Sequence, residues 1–229
     1  MITSPADISV SKKISESLYL LDVKLDKFRQ WIPGMFLQLA LEPKSGSEPW
    51  LDSRAFSIAS WGDADAKLLV RIEGNFTRRL TTLAEGGFKA AVRYPFGSFF
   101  LNSNGPKVFL AAGAGISVFL SHLDYLKKNN INEDLIIYHQ AKKDAEALEQ
   151  IYWMDIPDNV SVRQYISREH SILHKNGKFS LEEISFDVGK SIERWSFYIC
   201  GPPGFNSDWS RILSANGLKA KTESWIKPD

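Results

Sequence analysis

The chain has 229 residues, of which 44% are hydrophobic and 12% aromatic, enough apolar material for two modest domains. Its formal net charge of +1 gives no overall reason to expect nucleic acid or an anionic membrane surface as a partner. One cysteine excludes an internal disulfide and an iron-sulfur cluster, and the four scattered histidines lack metal-ligand spacing, so no metal site is predicted.

The first hundred residues consist mainly of short alternating segments separated by turns, a pattern typical of antiparallel strands. The predicted strands are Leu18 to Lys24, Phe36 to Leu41, Phe56 to Ser60, Lys67 to Ile72 and Phe88 to Tyr94, with one helical pattern from Thr77 to Ala84. A small closed barrel fits because closure removes exposed strand edges. We therefore expect an antiparallel β-barrel of the six-stranded type in residues 1–104.

From residue 105 onward, continuous apolar runs alternate with amphipathic stretches. The predicted strands are Val108 to Ala112, Leu135 to Tyr138, Val160 to Ile166 and Phe197 to Cys200, and the predicted helices are Val118 to Lys128, Asp144 to Met154 and Phe205 to Ala215. Apolar strands joined by crossover helices predict a parallel sheet. The second domain is thus an α/β domain over residues 105–229, and a cluster of Asn, Ser and Gly at 102–106 marks the boundary.

No segment of the chain has the pattern of a targeting signal or a membrane span. The N-terminus lacks a charged region followed by an apolar one, and the longest uncharged run, Val108 to Ser121, is too short to cross a bilayer. The expectation is a soluble, cytoplasmic protein with no transmembrane segment.

In the barrel half, Arg54-Ala55-Phe56-Ser57 follows a long polar loop and opens a strand. Arginine offers a planar fork for a phosphate, and serine a small donor or acceptor. Further on, Gly74-Asn75-Phe76-Thr77 leads into the predicted helix, whose N-terminus also suits a phosphate. The alternatives are a surface arginine at a strand edge and a threonine that caps the helix.

The first strand of the α/β half ends in Gly113-Ala114-Gly115-Ile116, where two glycines let backbone amides face a phosphate at a helix start. The turn is an incomplete dinucleotide fingerprint, because Val118 stands at the third glycine position and no acidic residue ends the second strand. The alternative is a tight turn that packs a helix on a sheet.

The only thiol of the chain lies in Cys200-Gly201-Pro202-Pro203, where an apolar strand breaks sharply into a helix. In open parallel sheets, ligands bind outside the carboxyl ends of the strands. The segment is therefore either part of a ligand site or a connector.

Six motifs occur in one order along the chain. They are Pro33-Gly34-Met35-Phe36, Arg54-Ala55-Phe56-Ser57, Gly74-x-x-Thr77, Tyr94-Pro95-Phe96-Gly97-Ser98-Phe99, Gly113-x-Gly115-Ile116-Ser117 and Cys200-Gly201-Pro202-Pro203. This set resembles the ferredoxin-NADP reductase superfamily, from about Leu18 to Trp225, without a fused ferredoxin domain. The resemblance implies an FAD-binding barrel over residues 1–104 and an NAD(P)-binding domain over 105–229.

For the flavin, the resemblance implies that Arg54 contacts the phosphates, that Phe56 packs against the flavin and that Ser57 lies near its N5 atom. Gly74, Phe76 and Thr77 would hold the phosphates at the helix start. The family usually has tyrosine where Phe56 stands, so a hydroxyl contact is lost while the ring contact is kept. FAD is expected rather than FMN because it is the commoner flavin of the superfamily.

For the nicotinamide nucleotide, the resemblance implies that Gly113, Ala114, Gly115 and Ile116 meet the pyrophosphate. Cys200, Gly201 and Pro202 would border the nicotinamide ring. Ser167-Arg168-Glu169 resembles a segment of NADP-using relatives, and Arg168 with Ser167 would grip a 2′-phosphate, which favours NADPH over NADH. The alternative is that Arg168 and the nearby Lys142 and Lys143 form a solvated loop face.

Near the C-terminus, Glu223-Ser224-Trp225 resembles the acidic-x-aromatic ending of many family members. There the aromatic ring shields the flavin and the carboxylate lies near the reacting centre. Trp225 is alternatively a buried strand aromatic. The candidate catalytic residues are thus Ser57 and Cys200 as positioning residues and Glu223 as a proton relay.

The function implied is that of an NAD(P)H-dependent flavoprotein reductase. Hydride passes from the nicotinamide to the flavin, in a cleft between the domains, and electrons pass on to a separate acceptor such as a ferredoxin, a flavodoxin or a ferric complex. One alternative is an electron-transfer subunit of a dihydroorotate dehydrogenase, hydrogenase or oxygenase. Another is a nucleotide-binding module without turnover.

Overall fold

A computed structural model describes residues 1–44, 49–62 and 64–223 of the chain. Two compact units are present, one formed by Met1–Phe100 with Ser117–Tyr125, the other by Leu101–Ile116 with the residues from Leu126 onward. The predicted domain boundary at residue 104 stays a prediction. No helix in the described ranges is long and apolar enough to span a bilayer.

The first unit contains a six-stranded antiparallel sheet in the order β4-β3-β6-β1-β2-β5. Its elements are β1 (Ile2–Lys13), β2 (Leu18–Leu25), β3 (Phe36–Ala40), β4 (Ser53–Ser57), β5 (Asp65–Arg71), α1 (Asn75–Gly86) and β6 (Phe88–Phe96). The backbone N–H of Ala59, just after β4, donates to the Lys67 carbonyl of β5 at 2.8 Å, which links the two edges of the sheet. The predicted antiparallel, barrel-type sheet is confirmed.

Strand β1 was not predicted, although it lies between β6 and β2 in the sheet. Its sequence carries Pro5, three serines and one aspartate, features that normally argue against a central strand. Ala6 and Ile8 are nevertheless buried while Asp7 is exposed, so the strand has the alternation of a half-buried sheet. Tertiary pairing thus outweighs local propensity here.

The second unit contains a parallel sheet in the order β10-β9-β8-β7-β11-β12. Its strands are β7 (Lys107–Ala112), β8 (Leu135–Ala141), β9 (Val160–Ile166), β10 (Lys175–Asn176), β11 (Ser196–Cys200) and β12 (Ala220–Glu223). The remaining helices of the chain are α2 (Ser117–Lys128), α3 (Leu148–Ile151), α4 (Leu181–Val188) and α5 (Pro203–Ala215). Every residue of β7 is buried, as expected for a central strand of a parallel sheet, and the predicted α/β architecture is confirmed.

Several predicted elements differ from the structure in their bounds, and two of these differences bear on the candidate site residues. The predicted strand Phe56 to Ser60 begins three residues earlier, so Arg54 lies within β4. The predicted helix Asp144 to Met154 is wrong, because a short 3₁₀ turn over Asp144–Glu146 is followed by a single turn of helix, α3. The backbone N–H of Asp144 donates to the Glu169 carboxylate and its side chain accepts from Ser171, so contacts distant in sequence replace the helix.

Candidate functional site

Arg54 and Phe56 lie two residues apart on β4 and therefore share one face of the strand. The Arg54 guanidinium lies over the Phe76 ring, 5.3 Å from its centroid, and donates to the Ser53 carbonyl at 2.8 Å. The Phe76 and Phe56 rings stack, with centroids 6.3 Å apart and planes 30° apart. Cation–π contact and stacking thus give a half-buried cation beside two aromatic rings.

Ser57 lies on the opposite face of β4 and pairs with Phe36 of β3. The residue is only 5% exposed, and its Oγ has no hydrogen-bond partner among the residues that the structure describes. A buried, unpaired hydroxyl is uncommon and is often explained by a ligand or water. The Ser57 hydroxyl thus keeps unused hydrogen-bonding capacity within the described part of the chain.

Helix α1 begins at Asn75, and Gly74 is its N-cap in an extended conformation. Thr77, the third residue of the helix, accepts hydrogen bonds from the backbone N–H of Glu73 and of Gly74 at 3.0 and 3.2 Å, and donates to the Gly74 carbonyl. Its hydroxyl thus stabilises the turn that precedes the helix. The first N–H groups of a helix have no partner within it, and in α1 they belong to the turn that carries Phe76.

The glycine turn after β7 and the end of β11 are adjacent in the second unit. The sheet order changes direction at β7 and β11, which is where open α/β sheets form their ligand crevice. A Cβ on Gly115 would lie 2.6 Å from the Cys200 carbonyl carbon and 2.9 Å from the Gly201 Cα, and closer still to the Cys200 oxygen. The structure thus brings Gly115, Cys200 and Gly201 together, because only glycine permits this approach.

Two further positions, one in this turn and one at the end of β11, also favour glycine. Gly113 has a φ of 55°, a conformation that side chains disfavour. A Cβ on Gly201 would lie 2.7 Å from the Phe205 ring and 3.0 Å from the Ala112 Cβ. Pro202 is the N-cap of α5, and Pro203 opens the helix as its first residue.

The Cys200 side chain is completely buried. The residue therefore lacks the partly exposed environment of a nucleophilic cysteine. Its backbone pairs with Ala111 of β7 on one side and Glu223 of β12 on the other. The candidate catalytic residues Cys200 and Glu223 are thus cross-strand neighbours, while Ser57 belongs to the first unit.

Glu223 ends β12 and is held by a residue that sequence reasoning missed. Asn206 of α5 is 4% exposed, and its Nδ2–H donates to the Glu223 carbonyl at 2.7 Å. Its Oδ1 is buried without a partner in the described part of the chain. Burial raises the pKa of the Glu223 carboxyl, which favours its protonated form. Trp225 lies outside the described residues.

Ser167 and Arg168 lie in the loop after β9, separated from the glycine turn by β8. The Ser167 Oγ donates to the Ala141 carbonyl at 2.9 Å, and the Arg168 N–H donates to the Lys142 carbonyl at 3.1 Å. The Arg168 and Lys143 side chains are exposed and Lys142 is half-buried. The loops after β8 and β9 therefore present three cations at the carboxyl edge of the sheet.

His174, which sequence reasoning also missed, binds two carboxylates in the segment that follows β8. His174 Nδ1 lies 2.9 Å from an Asp144 carboxylate oxygen, and Nε2 lies 2.7 Å from a Glu149 oxygen. Burial disfavours the charged imidazole, but the two carboxylates outweigh it and raise the pKa of His174. No local pattern marks this residue, because its partners lie 30 and 25 positions away.

The comparisons with known proteins identify similar chains. No protein-family model matches. The chain is 26% identical over 189 residues to the anthranilate 1,2-dioxygenase electron transfer component of Acinetobacter baylyi, covering 76% of this chain and 51% of that protein. It is 23% identical over 219 residues to a flavohemoprotein of Oceanobacillus iheyensis, covering 88% and 53%. The chain thus spans about half the length of these curated relatives.

Among solved structures, a ferredoxin NADP+ reductase from Neisseria gonorrhoeae with bound FAD and NADP superimposes with a TM-score of 0.78 at 16% sequence identity. The match covers 96% of this chain and 98% of that one. At this identity the match concerns the fold, and it extends over both units of the chain.

Proposed function

We propose that this chain, which has the two-domain fold of the ferredoxin-NADP reductase superfamily, is a flavin-dependent oxidoreductase that takes hydride from NAD(P)H onto FAD. Electrons then pass to a separate acceptor, such as a small redox protein. The observation that carries the proposal is the arrangement on β4, where Arg54 and Phe56 share one face and the buried, unpaired Ser57 hydroxyl lies on the other. The cytoplasmic location expected from the sequence is part of the same proposal.

The residues of the first unit fit a flavin nucleotide by their chemistry. Arg54 supplies a cation with a planar donor fork for the phosphates, and the first-turn amides of α1 after Gly74 supply N–H donors. Phe56 and Phe76 supply aromatic surface, and Ser57 supplies the hydroxyl for a ring polar atom. Thr77 acts indirectly, because its hydroxyl already holds the turn before the helix.

The residues of the second unit fit a nicotinamide nucleotide. Gly113 to Ile116 would present backbone N–H groups to the pyrophosphate, and the close approach at Gly115 keeps the turn against the end of β11. Cys200, Gly201 and Pro202 would border the nicotinamide, with Cys200 acting by packing and shape. Ser167 and Arg168 would bind a 2′-phosphate, which favours NADPH.

When bound, the two cofactors supply hydride transfer from nicotinamide C4 to flavin N5. The protein residues bind and orient them. Glu223 would hold a proton on its carboxyl, which the raised pKa of this group favours, and Asn206 would keep the strand that carries it in place. The role of Trp225 stays a prediction from the sequence, because this residue lies outside the described residues.

Anaerobic titration of the purified chain with NADPH tests the proposal directly. A yellow protein whose flavin absorbance bleaches with one equivalent of NADPH, and returns on adding an electron acceptor, supports a reductase. Protein that cannot be reconstituted with FAD or FMN and oxidises neither NADPH nor NADH would instead support a nucleotide-binding module without turnover.

Replacing Ser57 by alanine is expected to slow flavin reduction by NADPH about tenfold, the equivalent of one lost hydrogen bond. The flavin-free protein should keep its free energy of unfolding, because the hydroxyl has no partner in the described structure. Stopped-flow reduction and urea unfolding measure the two quantities. A Ser57→Ala variant that loses stability but keeps its reduction rate would show that the hydroxyl stabilises the fold and has no role in flavin reduction.

Replacing Arg168 by alanine is expected to raise the KM for NADPH about tenfold and to leave the KM for NADH unchanged, because only NADPH carries the 2′-phosphate. Steady-state kinetics with both nucleotides provides the measurement. Arg211→Ala, which removes an exposed arginine on α5, is the matched control. Equal effects of Arg168→Ala on both nucleotides would contradict the assignment.

A further inference from the structure

His139 of β8 contacts the glycine turn from within the core of the second unit. Its ring is completely buried between two oxygen atoms. Nε2 lies 3.2 Å from the Gly113 carbonyl oxygen, and Nδ1 lies 3.0 Å from the Gln164 side-chain oxygen on β9. A buried imidazole between two acceptors is a specific arrangement, because a neutral ring carries only one N–H.

The orientation of the Gln164 amide is set by backbone groups. Its Oε1 accepts the Leu148 N–H at 3.0 Å. Its Nε2 donates to the carbonyls of His139 and Tyr165 at 3.1 and 3.3 Å. A flipped amide would place its NH₂ group against the Leu148 N–H, which is also a donor. It would place its oxygen against the carbonyls of His139 and Tyr165, which are also acceptors. The oxygen therefore faces His139, and Nδ1 carries a proton.

With a proton on Nδ1, the bond from Nε2 to the Gly113 carbonyl requires a second proton on the ring. Complete burial disfavours that charge and lowers the pKa of His139. The Gly113 carbonyl, the Gln164 oxygen and the carboxylates of Glu146 and Glu149 favour it. The two acceptors in contact with the ring and the charges of Glu146 and Glu149 stabilise the imidazolium, whereas burial, the largest effect, opposes it.

The hydrogen bond between His139 and the Gly113 carbonyl affects the orientation of the next backbone N–H, that of Ala114. A trans peptide is planar, so the N–H of Ala114 points opposite to the carbonyl of Gly113. Holding this carbonyl toward His139 therefore directs the Ala114 N–H away from the core. That amide belongs to the turn assigned above to the pyrophosphate.

We propose that His139 is a positioning residue for the glycine turn and takes up a proton when the phosphates of a nicotinamide nucleotide bind there. This inference rests on the proposed function, which assigns nucleotide binding to the turn. The negative charge of the pyrophosphate stabilises the imidazolium, and the imidazolium in turn completes the bond that orients the Ala114 N–H.

The linkage fixes the sign of the pH dependence. Binding raises the affinity of His139 for its proton, so nucleotide affinity rises as the pH falls. The change is up to tenfold per pH unit between the pKa of the liganded protein and that of the free protein. Above both values the affinity is constant.

Isothermal titration calorimetry of the full chain with NAD+, between pH 6 and 8, tests the proposal. NAD+ is used because it lacks the 2′-phosphate of NADP+, whose own titration lies near pH 6. HEPES and Tris buffers, which differ in ionisation enthalpy, report the number of protons taken up. The wild-type chain is expected to take up as much as one proton, and its affinity should rise toward pH 6.

The variant His139→Gln keeps an N–H donor for the Gly113 carbonyl but cannot titrate. We expect it to bind NAD+ within about threefold of the wild type at pH 8, without proton uptake and with an affinity independent of pH. His170→Gln, which removes an exposed histidine of the same unit, is expected to behave as the wild type. Proton uptake that persists in His139→Gln would overturn the inference.

A second measurement on the wild-type chain does not depend on the variant folding. Nitrogen-15 NMR of the labelled histidine rings should show the pKa of His139 rising when NAD+ binds, and an unchanged or lower value overturns the inference. Binding of NAD+ without proton uptake contradicts this inference alone. Failure of the wild type to bind NAD+ and NADP+ removes the proposed function together with it.

Discussion

Replacing Gly115 by alanine is expected to lower the free energy of unfolding of the chain by about 3 kcal/mol, the upper part of the range for overpacking a tight site. The new Cβ would lie 2.6 Å from the Cys200 carbonyl carbon and 2.9 Å from the Gly201 Cα. These are backbone atoms at the end of β11 and just after it, so no side-chain rotation can make room for the new Cβ. The glycine turn and the end of β11 must move apart, and nucleotide affinity should fall with stability.

Urea unfolding followed by far-UV circular dichroism measures this effect, and calorimetry with NADP+ measures the binding. Gly204→Ala is the matched control, because a Cβ at Gly204 meets nothing within 4 Å and the residue lies inside α5. This control should be neutral or stabilise the helix by up to about 1 kcal/mol. Gly115→Ala with the stability of the control would mean that the turn is not packed against Cys200.

Replacing Arg54 by alanine is expected to raise the dissociation constant of FAD about 100-fold, the effect of losing charge-assisted hydrogen bonds worth about 3 kcal/mol. The barrel itself should lose less than about 1 kcal/mol, because within the described residues the guanidinium interacts with the Phe76 ring and the neighbouring Ser53 carbonyl. The purified variant should be largely colourless and regain colour only with excess FAD.

Fluorescence titration of the flavin-free protein with FAD gives the dissociation constant. Arg54→Lys keeps the charge without the planar fork, and we expect an intermediate affinity. Arg79→Ala, which removes an exposed arginine of α1, controls for the change in net charge. If Arg54→Ala and Arg79→Ala bind FAD with equal affinity, Arg54 does not bind the phosphates.

Many of the candidate site residues could be predicted from short sequence motifs. Arg54 and Phe56 were both candidate site residues from the sequence, and the structure places both against Phe76. The glycines after β7 predicted a tight turn at the start of a helix, which the structure contains. The backbone of Cys200 at the end of β11 lies beside this turn, at the carboxyl edge of the sheet where ligands of open parallel sheets bind.

Other features had no local signal. The alternation in β1 was hidden by Pro5 and by a high content of polar residues. The amphipathic segment Asp144 to Met154 has a helical pattern, but bonds from Glu169, Ser171 and His174 hold its start in another conformation. The unpaired state of the Ser57 hydroxyl also depends on what surrounds it, which a one-dimensional pattern does not contain.

The sequence by itself determined the two architectures, the order of the motifs and the chemical groups they contribute, because side-chain periodicity and turn chemistry act over a few residues. Only the tertiary structure decided that Gly115 packs against Cys200, that Asn206 holds Glu223 and that His139 meets Gly113. These partners lie from 17 to 85 positions apart, the last figure being the difference between 200 and 115. Chain folding brings them into contact, and no local preference of either residue specifies the other.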